Sequence, residues 1–334
     1  MTIYYFLLII GAMLFAGQFL LTKQFQKLNG DSVFSSVKLL FFAYLTIAVF
    51  FFVKACIGAG KIKFGFSVFT LLITLCLAVD TLACIALGAK VLGIGNMSTY
   101  SVFMMIGSIV LPALTGMIFY KEELTPLKGV ALALMLISVI FINAKTGGEK
   151  TSRKAVLYYI GIFILNGMIG VLFAVHNNQP LLSACYDVVD GTPVSNSDVF
   201  MSWYGISTAA ISGLVMLWKR FAGNRRKNAE ETDYGNENSA KILKSRGEAE
   251  RRAVFLSVLI GAGYGIANGF GNYFISISTT PVTLGSSISF PIVNGGTILF
   301  STLLGFIVYK EKISLKIAIG LTLVLISTIL FMFV

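Results

Sequence analysis

Long apolar runs separated by polar segments cover almost the whole chain. Each run is about 20 residues long, the length that an α-helix needs to cross the hydrocarbon core of a bilayer. None of them alternates polar and apolar residues, as the strands of an outer-membrane barrel do. The pattern therefore predicts an all-α membrane protein. We place its ten transmembrane helices at 3–22, 33–53, 66–88, 94–119, 126–143, 155–175, 199–218, 253–276, 281–308 and 315–333.

The second half of the chain resembles the first half, 189 residues later and without gaps. When 107–140 is laid over 296–329, fourteen of the 34 positions are identical. The Tyr-Lys-Glu sequence at 120–122 falls on the same sequence at 309–311. Self-similarity over a long period indicates a duplicated unit.

The duplication divides the chain into two repeats of five spans each. The first repeat covers 1–143, a polar linker follows at 144–154, and the second repeat covers 155–334. Because each repeat has an odd number of spans, Glu122 and its equivalent Glu311 are expected on opposite faces of the membrane. Two inverted five-helix repeats are an architecture found mainly in transporters.

Positive charge is concentrated in the odd-numbered connections between the spans. The chain has a net charge of +11, and 21 of its 26 Lys and Arg residues lie in or beside these connections. The positive-inside rule then places these connections in the cytoplasm and both chain ends outside. Membrane orientation thus accounts for the basic charge, and no nucleic-acid partner is expected.

Two insertions interrupt the second repeat. The first, at 219–252, is rich in Asn, Glu, Lys and Gly and almost free of large apolar side chains. Such a segment buries too little surface to pack, so we predict a mobile basic loop. The second, at 176–198, carries three aspartates and no basic residue. We expect a solvated connector there, with His176 capping the preceding helix; a lid over the transport pathway is the alternative.

Asp80 is the only acidic residue inside a predicted span. A carboxylate at that depth is costly and usually faces a water-filled cavity or a partner. One hypothesis is a proton or cation site that couples ion movement to transport. The alternative is a structural carboxylate, paired with Lys38 or Lys90 or hydrogen-bonded within the bundle.

The eighth span carries a polar stripe formed by Tyr264, Asn268 and Asn272. Because asparagine is costly against lipid, this stripe must face protein or water. It predicts either the wall of a ligand-binding cavity or hydrogen bonds between helices. The neighbouring face of this span carries a glycine at every fourth residue, a spacing that lets helices pack closely. These residues are Gly261, Gly265 and Gly269.

Proline and glycine weaken the fourth and ninth spans. Pro291 cannot donate a backbone hydrogen bond, and Gly295 and Gly296 follow it closely. We predict a mid-membrane bend there, and a comparable weak point at Pro112. Bent helices at matching places in two inverted repeats indicate a central binding site, although packing alone would also explain the glycines.

Single polar residues on other apolar spans complete the candidate solute-binding site. They are Gln18, Tyr100, Asn166 and Asn294. Hydrogen bonding within the bundle is the alternative for each of them.

The sequence contains no recognisable catalytic, nucleotide-binding or metal-binding motif. One histidine excludes an HExxH zinc site, and neither a phosphate-binding GxxxxGK[ST] loop nor a GxSxG elbow is present. The four cysteines form no CxxC pair. We therefore expect no enzyme activity and no cofactor, and transport driven by gradients or by exchange.

The segments 95–107 and 119–125, and their counterparts 289–301 and 309–314, resemble the EamA-type transporters of the drug/metabolite transporter superfamily. The resemblance covers essentially the whole chain. It implies a ten-helix inverted repeat whose central cavity is lined mostly by spans one to four and six to nine. Members of this family are usually drawn with both ends in the cytoplasm, whereas the charges of this chain favour the reverse.

These observations predict a secondary transporter of the plasma (inner) membrane that exports or exchanges a small organic metabolite or drug by alternating access. Its partners would be that solute, membrane lipids and, for coupling through Asp80, protons. A passive channel or facilitator is the first alternative. A membrane scaffold or sensor that uses 221–250 for docking is the second.

Overall fold

The computed structural model describes residues 2–30, 32–57, 64–94, 97–143, 153–227, 238–310 and 314–333. Helices make up most of this structure. They are α1 (Thr2–Asn29), α2 (Val33–Ile57), α3 (Val68–Ile94), α4 (Met97–Phe119), α5 (Pro126–Asn143), α6 (Arg153–Asn177), α7 (Ser197–Lys227), α8 (Asn238–Ser278), α9 (Ser286–Tyr309) and α10 (Leu315–Met332).

The prediction of an all-α membrane protein is confirmed. Within the described residues, eight helices are long and apolar enough to cross a membrane, and two shorter apolar helices lie at 103–119 and 126–142. Large apolar side chains such as Phe6, Leu72 and Ile160 are exposed on the outside of the bundle. Lipid is the solvent that such a surface requires.

The start of α9 differs from the prediction. The helix begins at Ser286 instead of 281, because Gly285 adopts a left-handed backbone conformation with φ of 76° and the preceding residues form turns. Pro291 therefore lies in the second turn of α9. The helix continues without a break to Tyr309, as α4 does through Pro112.

The segment predicted as a basic loop is largely helical. α7 continues to Lys227 and α8 already begins at Asn238, so only 228–237 of the segment 219–252 lies outside the described residues. Alanine, lysine, arginine and glutamate, which are frequent here, are good helix formers even without an apolar face to bury. The predicted linker 144–154 falls mostly outside the described residues, and α6 begins at Arg153.

A short β-hairpin occupies the insertion between α6 and α7. A 3₁₀ turn at Pro180–Leu182 is followed by β1 (Tyr186–Val189) and β2 (Thr192–Ser195), which pair antiparallel. The connecting Asp190 and Gly191 have φ of 49° and 79°. Two consecutive positive φ angles are typical of the tight turns that join hairpin strands.

The helices of the first five pack mainly against those of the second five. α2 packs against α7, α4 against α9 and α5 against α10. α1 packs against α8 and α9, and α6 packs against α3 and α4. The interior of the bundle is therefore built from both halves of the chain.

Glycines allow the closest of these contacts. A Cβ atom added to Gly265 of α8 would lie 2.3 Å from the carbonyl oxygen of Ala43 in α2. A Cβ atom on Gly107 of α4 would lie 2.2 Å from the carbonyl oxygen of Phe163 in α6. The small-residue stripe predicted on α8 thus serves helix packing, as small residues commonly do in membranes.

We call the face of the bundle that carries both chain ends the terminal face. The Tyr5 hydroxyl donates a hydrogen bond to the carbonyl oxygen of Phe331, so the first and last helices meet there. The β-hairpin and the turn between α8 and α9 border the same face, because both line one pocket with Tyr4. On the opposite face, the Asn29 amide donates to the hydroxyl of Ser257 at 2.8 Å.

Candidate functional site

Asp80 lies near the middle of α3 and points into the bundle. Only 8 % of the residue is exposed, and its Oδ2 atom has no hydrogen-bond partner within the described part of the chain. No described ion pair joins it to Lys38 or Lys90, the partners considered from the sequence. No basic group of the described structure is therefore paired with this carboxyl group.

Three hydroxyl groups beside Asp80 form a chain across the bundle. The hydroxyls of Tyr44 in α2 and Tyr204 in α7 are 2.8 Å apart, and the Tyr204 hydroxyl lies 3.0 Å from Oγ1 of Thr81 in α3. Tyr44 and Tyr204 are buried, and their rings meet edge to face at 4.9 Å between centroids. Asp80 is close enough to Tyr204 to interact with it electrostatically.

Sequence reasoning missed this hydroxyl chain. A single tyrosine or threonine on an apolar helix is too common to stand out. The available signal was that Tyr44 and Tyr204 each lie inside a predicted span, where a phenol group needs a partner.

A second polar chain joins α1 to α8. The Asn268 amide donates to Oε1 of Gln18 at 3.0 Å, and the Asn272 amide donates to Oδ1 of Asn268 at 3.0 Å. Tyr264, one turn before Asn268, interacts electrostatically with Tyr204. The structure thus brings four of the predicted site residues together and links them, through Tyr204, to Asp80.

Asn294 and Asn166 lie apart from that cluster and make contacts between helices. The Asn294 amide donates to the carbonyl oxygen of Ser108 at 3.3 Å, the carbonyl that Pro112 leaves without its helical partner. The Asn166 amide donates to the carbonyl oxygen of Met104 at 2.8 Å. Both asparagines join helices of opposite repeats, the role considered as the alternative to ligand binding.

The remaining sequence candidates include the two glycines of α9 and Tyr100 of α4. A Cβ atom on Gly295 would lie 2.4 Å from Cε of Met135, and one on Gly296 would lie 2.8 Å from Cβ of Ala12. Both glycines therefore permit close packing. Tyr100 belongs to α4, but its side chain lies outside the described residues.

On the terminal face, Glu122 caps the first turn of α9. Its carboxylate accepts hydrogen bonds from the backbone amides of Ser286 and Ser287, both at 2.8 Å, and from their two hydroxyls. We call this arrangement the Glu122 cap. Carboxylates are favourable at helix N-termini because four amides there lack helical partners. Gly116 permits the close approach, since a Cβ atom there would lie 2.4 Å from the Ser286 hydroxyl.

Lys128 balances the charge of the Glu122 cap. It is 5 % exposed, and its ammonium donates to the Ser287 hydroxyl at 3.0 Å and to the carbonyl oxygen of Glu123 at 2.7 Å. The cap thus joins the turn after α4, the start of α5 and the start of α9. From the sequence, the Tyr-Lys-Glu turns are expected only to anchor helix ends.

Further hydrogen bonds close the terminal face between α6, α7 and α8. The Asn177 amide donates to Oγ1 of Thr279 at 2.7 Å and to the carbonyl oxygen of Ser276 at 3.0 Å. The Ser276 and Ser197 hydroxyls are 2.8 Å apart. His176, expected at the water interface, is instead 1 % exposed, because its ring stacks on Phe200.

Lys54 joins α2 to α7 and α8 at the same face. Its ammonium lies 2.5 Å from Oδ1 of Asp198 and 4.1 Å from the centroid of the Tyr273 ring. Asp198 and Tyr273 border an open pocket of about 210 Å³ beneath the β-hairpin. The acidic segment 176–198 therefore contributes a charge partner and packing contacts, which is more than the solvated connector that we expected.

Within the described ranges, no group of three or more His, Cys, Asp or Glu side chains is placed to hold a metal ion. The polar groups of the interior are hydroxyls, amides and one carboxyl group. Such groups can bind and orient a polar solute by hydrogen bonds and charge.

Comparisons with known proteins show the fold of the chain. No protein-family model and no curated protein matches the sequence. Solved structures do match, and one of them, described only as "Crystal structure of protein", has a TM-score of 0.62 at 13 % sequence identity. The alignment covers 98 % of this chain and 96 % of that chain. The likeness therefore extends over the whole fold.

Proposed function

We propose that this chain is a secondary transporter of the EamA type, within the drug/metabolite transporter superfamily. It moves a small organic solute across the plasma (inner) membrane by alternating access between two inverted five-helix repeats. The pairing of the helices is the observation that carries this proposal.

The helix contacts keep their pattern when each helix is exchanged for its equivalent in the other half of the chain. In this exchange α1 replaces α6 and α6 replaces α1, and the same holds for α2 and α7, α3 and α8, α4 and α9, and α5 and α10. The contacts of α1 with α8 and α9 become those of α6 with α3 and α4. The pairs α2 with α7, α4 with α9 and α5 with α10 map onto themselves. A two-fold axis in the membrane plane, as in transporters built from inverted repeats, produces this pattern.

The turns that follow α4 and α9 support the same relationship. Lys121 and Lys310 are equivalent in the repeated sequence, and both adopt a left-handed backbone conformation, with φ of 55° and 54°. The amide of Glu122 donates to the carbonyl oxygen of Gly116, and the amide of Lys310 donates to that of Gly305, the equivalent glycine. In both turns, the carbonyl oxygen of the equivalent glycine thus accepts a hydrogen bond from a residue that follows the helix.

The proposed solute site lies between the repeats. Asp80 and Gln18 come from the first repeat, and Tyr204, Tyr264 and Asn268 come from the second. Rocking of one repeat against the other would therefore change both the shape of the site and the face of the membrane from which the solute reaches it. Asp80 serves as the coupling group, and the amides and phenols orient the solute. The Glu122 cap keeps the terminal face closed in this state.

Counterflow in liposomes tests the proposal. A solute that raises the melting temperature of the purified protein is selected first, because ligands that bind the folded state stabilise it. Liposomes that contain the protein and unlabelled solute should then accumulate the labelled solute transiently above its outside concentration. A passive channel would only equilibrate the label, and a scaffold or sensor would produce no flux; either result would refute the proposal.

A further inference from the structure

The carboxyl group of Asp80 has a free acceptor position in the centre of the bundle. The residue is 8 % exposed, yet Oδ2 receives no hydrogen bond from the described groups around it. Leaving a buried polar atom unsatisfied is costly, and more so for a charged group. An unsatisfied buried acceptor of this kind is expected where a ligand, and not the chain itself, supplies the missing donor.

The neighbouring hydroxyls do not complete it, because none of those described lies within hydrogen-bond distance of Oδ2. The Tyr204 hydroxyl is 2.8 Å from that of Tyr44 and 3.0 Å from that of Thr81. A phenol has one proton to donate. The chain of hydroxyls is therefore consistent without Asp80, which stays open beside the tyrosine rings.

The basic side chains nearest to the bundle interior are engaged as well. The Lys54 ammonium is held by Asp198 and Tyr273, and the Lys128 ammonium by Ser287 and the carbonyl oxygen of Glu123. Both lie at the terminal face. When ionised, Asp80 therefore gives the centre of the bundle a negative charge.

The surroundings of Lys54 show which group a carboxylate beside a tyrosine ring binds in this protein. Its ammonium rests against the carboxylate of Asp198 and over the ring of Tyr273. A carboxyl group beside a tyrosine recurs at Asp80, with Tyr204, but there no ammonium of the described chain occupies it. Aromatic faces attract ammonium groups, particularly where water is excluded.

We infer that Asp80 binds the ammonium group of the transported solute, so that the solute class is that of small organic cations, either amines or quaternary ammonium compounds. This inference rests on the proposed function, because it assigns a ligand to the same central site. Tyr264, which is half-buried near Tyr204, provides the aromatic surface, and Asn268 and Gln18 are available to polar groups further along the solute.

Two sets of probes that have similar shapes and different charges test the inference. The first set is choline, 3,3-dimethylbutan-1-ol and 3,3-dimethylbutanoate, and the second is phenethylamine, 3-phenylpropan-1-ol and 3-phenylpropanoate. The melting temperature of the purified full-length protein is measured against the concentration of each probe. The same series is measured with Asp80→Asn and with the charge-retaining Asp80→Glu.

In at least one set, we expect the cation to raise the melting temperature in a saturable way and the neutral and anionic probes to have little effect. The shift should disappear in Asp80→Asn and persist, though weakened, in Asp80→Glu. Stabilisation by the neutral or anionic probes instead would overturn the cation assignment but leave the transporter proposal standing. If no probe stabilises the protein, the assignment is also wrong, and counterflow with solutes from a broader screen then decides the fate of the proposed function.

Discussion

The backbone amide of Ser287 donates a hydrogen bond of 2.8 Å to the carboxylate of Glu122, which lies 165 residues earlier in the chain. This bond joins the turn between α4 and α5 to the start of α9, and thus the first half of the chain to the second. With the three other hydrogen bonds of the Glu122 cap, it holds the terminal face closed. If the chain works by the proposed alternating access, this face must also open, and the cap would then break once in each transport cycle.

Replacing the carboxylate of the Glu122 cap should open the terminal face. In Glu122→Gln the charged acceptor is lost, and hydrogen bonds to charged groups contribute about 1.5–3 kcal/mol each. The open population should therefore rise roughly ten- to a hundredfold. The measurement is maleimide labelling of Ser278→Cys, a buried position whose hydroxyl has no hydrogen-bond partner in the described structure. The native cysteines are replaced by serine.

Glu123→Gln is the matched control for this experiment. Glu123 is exposed in the same turn, and only its backbone carbonyl takes part in the cap. Its substitution should leave the labelling rate unchanged. Equal labelling rates in Glu122→Gln and Glu123→Gln would rule out the cap as the closing contact.

Two aspartates should respond in opposite ways to replacement by asparagine. Asp80→Asn removes an uncompensated buried charge, so we expect stability to rise by about 1 kcal/mol. Asp198→Asn removes the charge partner of Lys54 and should lower stability by about 1–3 kcal/mol. Thermal unfolding of the purified variants decides this. A loss of stability in Asp80→Asn would mean that its carboxylate has a stabilising partner.

Two neighbouring glycines of α8 should differ sharply in their tolerance of alanine. A Cβ atom on Gly265 would lie 2.3 Å from the carbonyl oxygen of Ala43, whereas one on Gly263 would have Cδ1 of Leu21 as its nearest neighbour, at 3.7 Å. Gly265→Ala should therefore destabilise the protein by about 1–3 kcal/mol through overpacking. Gly263→Ala should be neutral or slightly stabilising. Similar melting temperatures for the two variants would contradict the close packing of α2 and α8.

The hydrogen bond between Gln18 and Asn268 should appear as an energetic coupling. Within membranes such bonds contribute about 0.6 kcal/mol on average and up to about 1.7 kcal/mol. A double-mutant cycle with Gln18→Leu and Asn268→Leu measures this coupling from the unfolding of four proteins. Strict additivity of the two substitutions would show that the amides do not interact.

The apolar spans were accessible from the sequence because they depend on local patterns. Apolar runs long enough to cross a bilayer leave few alternatives to a helix, as the predicted limits of 33–53 and 315–333 illustrate beside α2 and α10. The amides of Gln18, Asn268 and Asn272 could also be placed in the interior, because asparagine and glutamine are costly against lipid.

What the sequence left open depended on contacts between distant segments. The cap formed by Glu122 needs the position of Ser287, and the burial of His176 needs the ring of Phe200. The β-hairpin is different, because its Asp190-Gly191 turn is itself a local hairpin signal, although the polar composition around it is typical of a solvated connector. The start of α9 was misplaced because residues 281–284 are apolar enough to continue a span, although Gly285 ends the preceding turns.

The most direct test of alternating access is double labelling of one molecule from both faces. In a protein without native cysteines, Ser278→Cys reports on the terminal face and Ser257→Cys on the opposite face, and both positions are buried. A bulky maleimide at one position should hold its own face open and the other face closed. We predict that the fraction of doubly labelled molecules, read by mass spectrometry, is well below the product of the two single fractions. A doubly labelled fraction equal to that product would mean that both faces open independently, as in a channel, and would contradict the account.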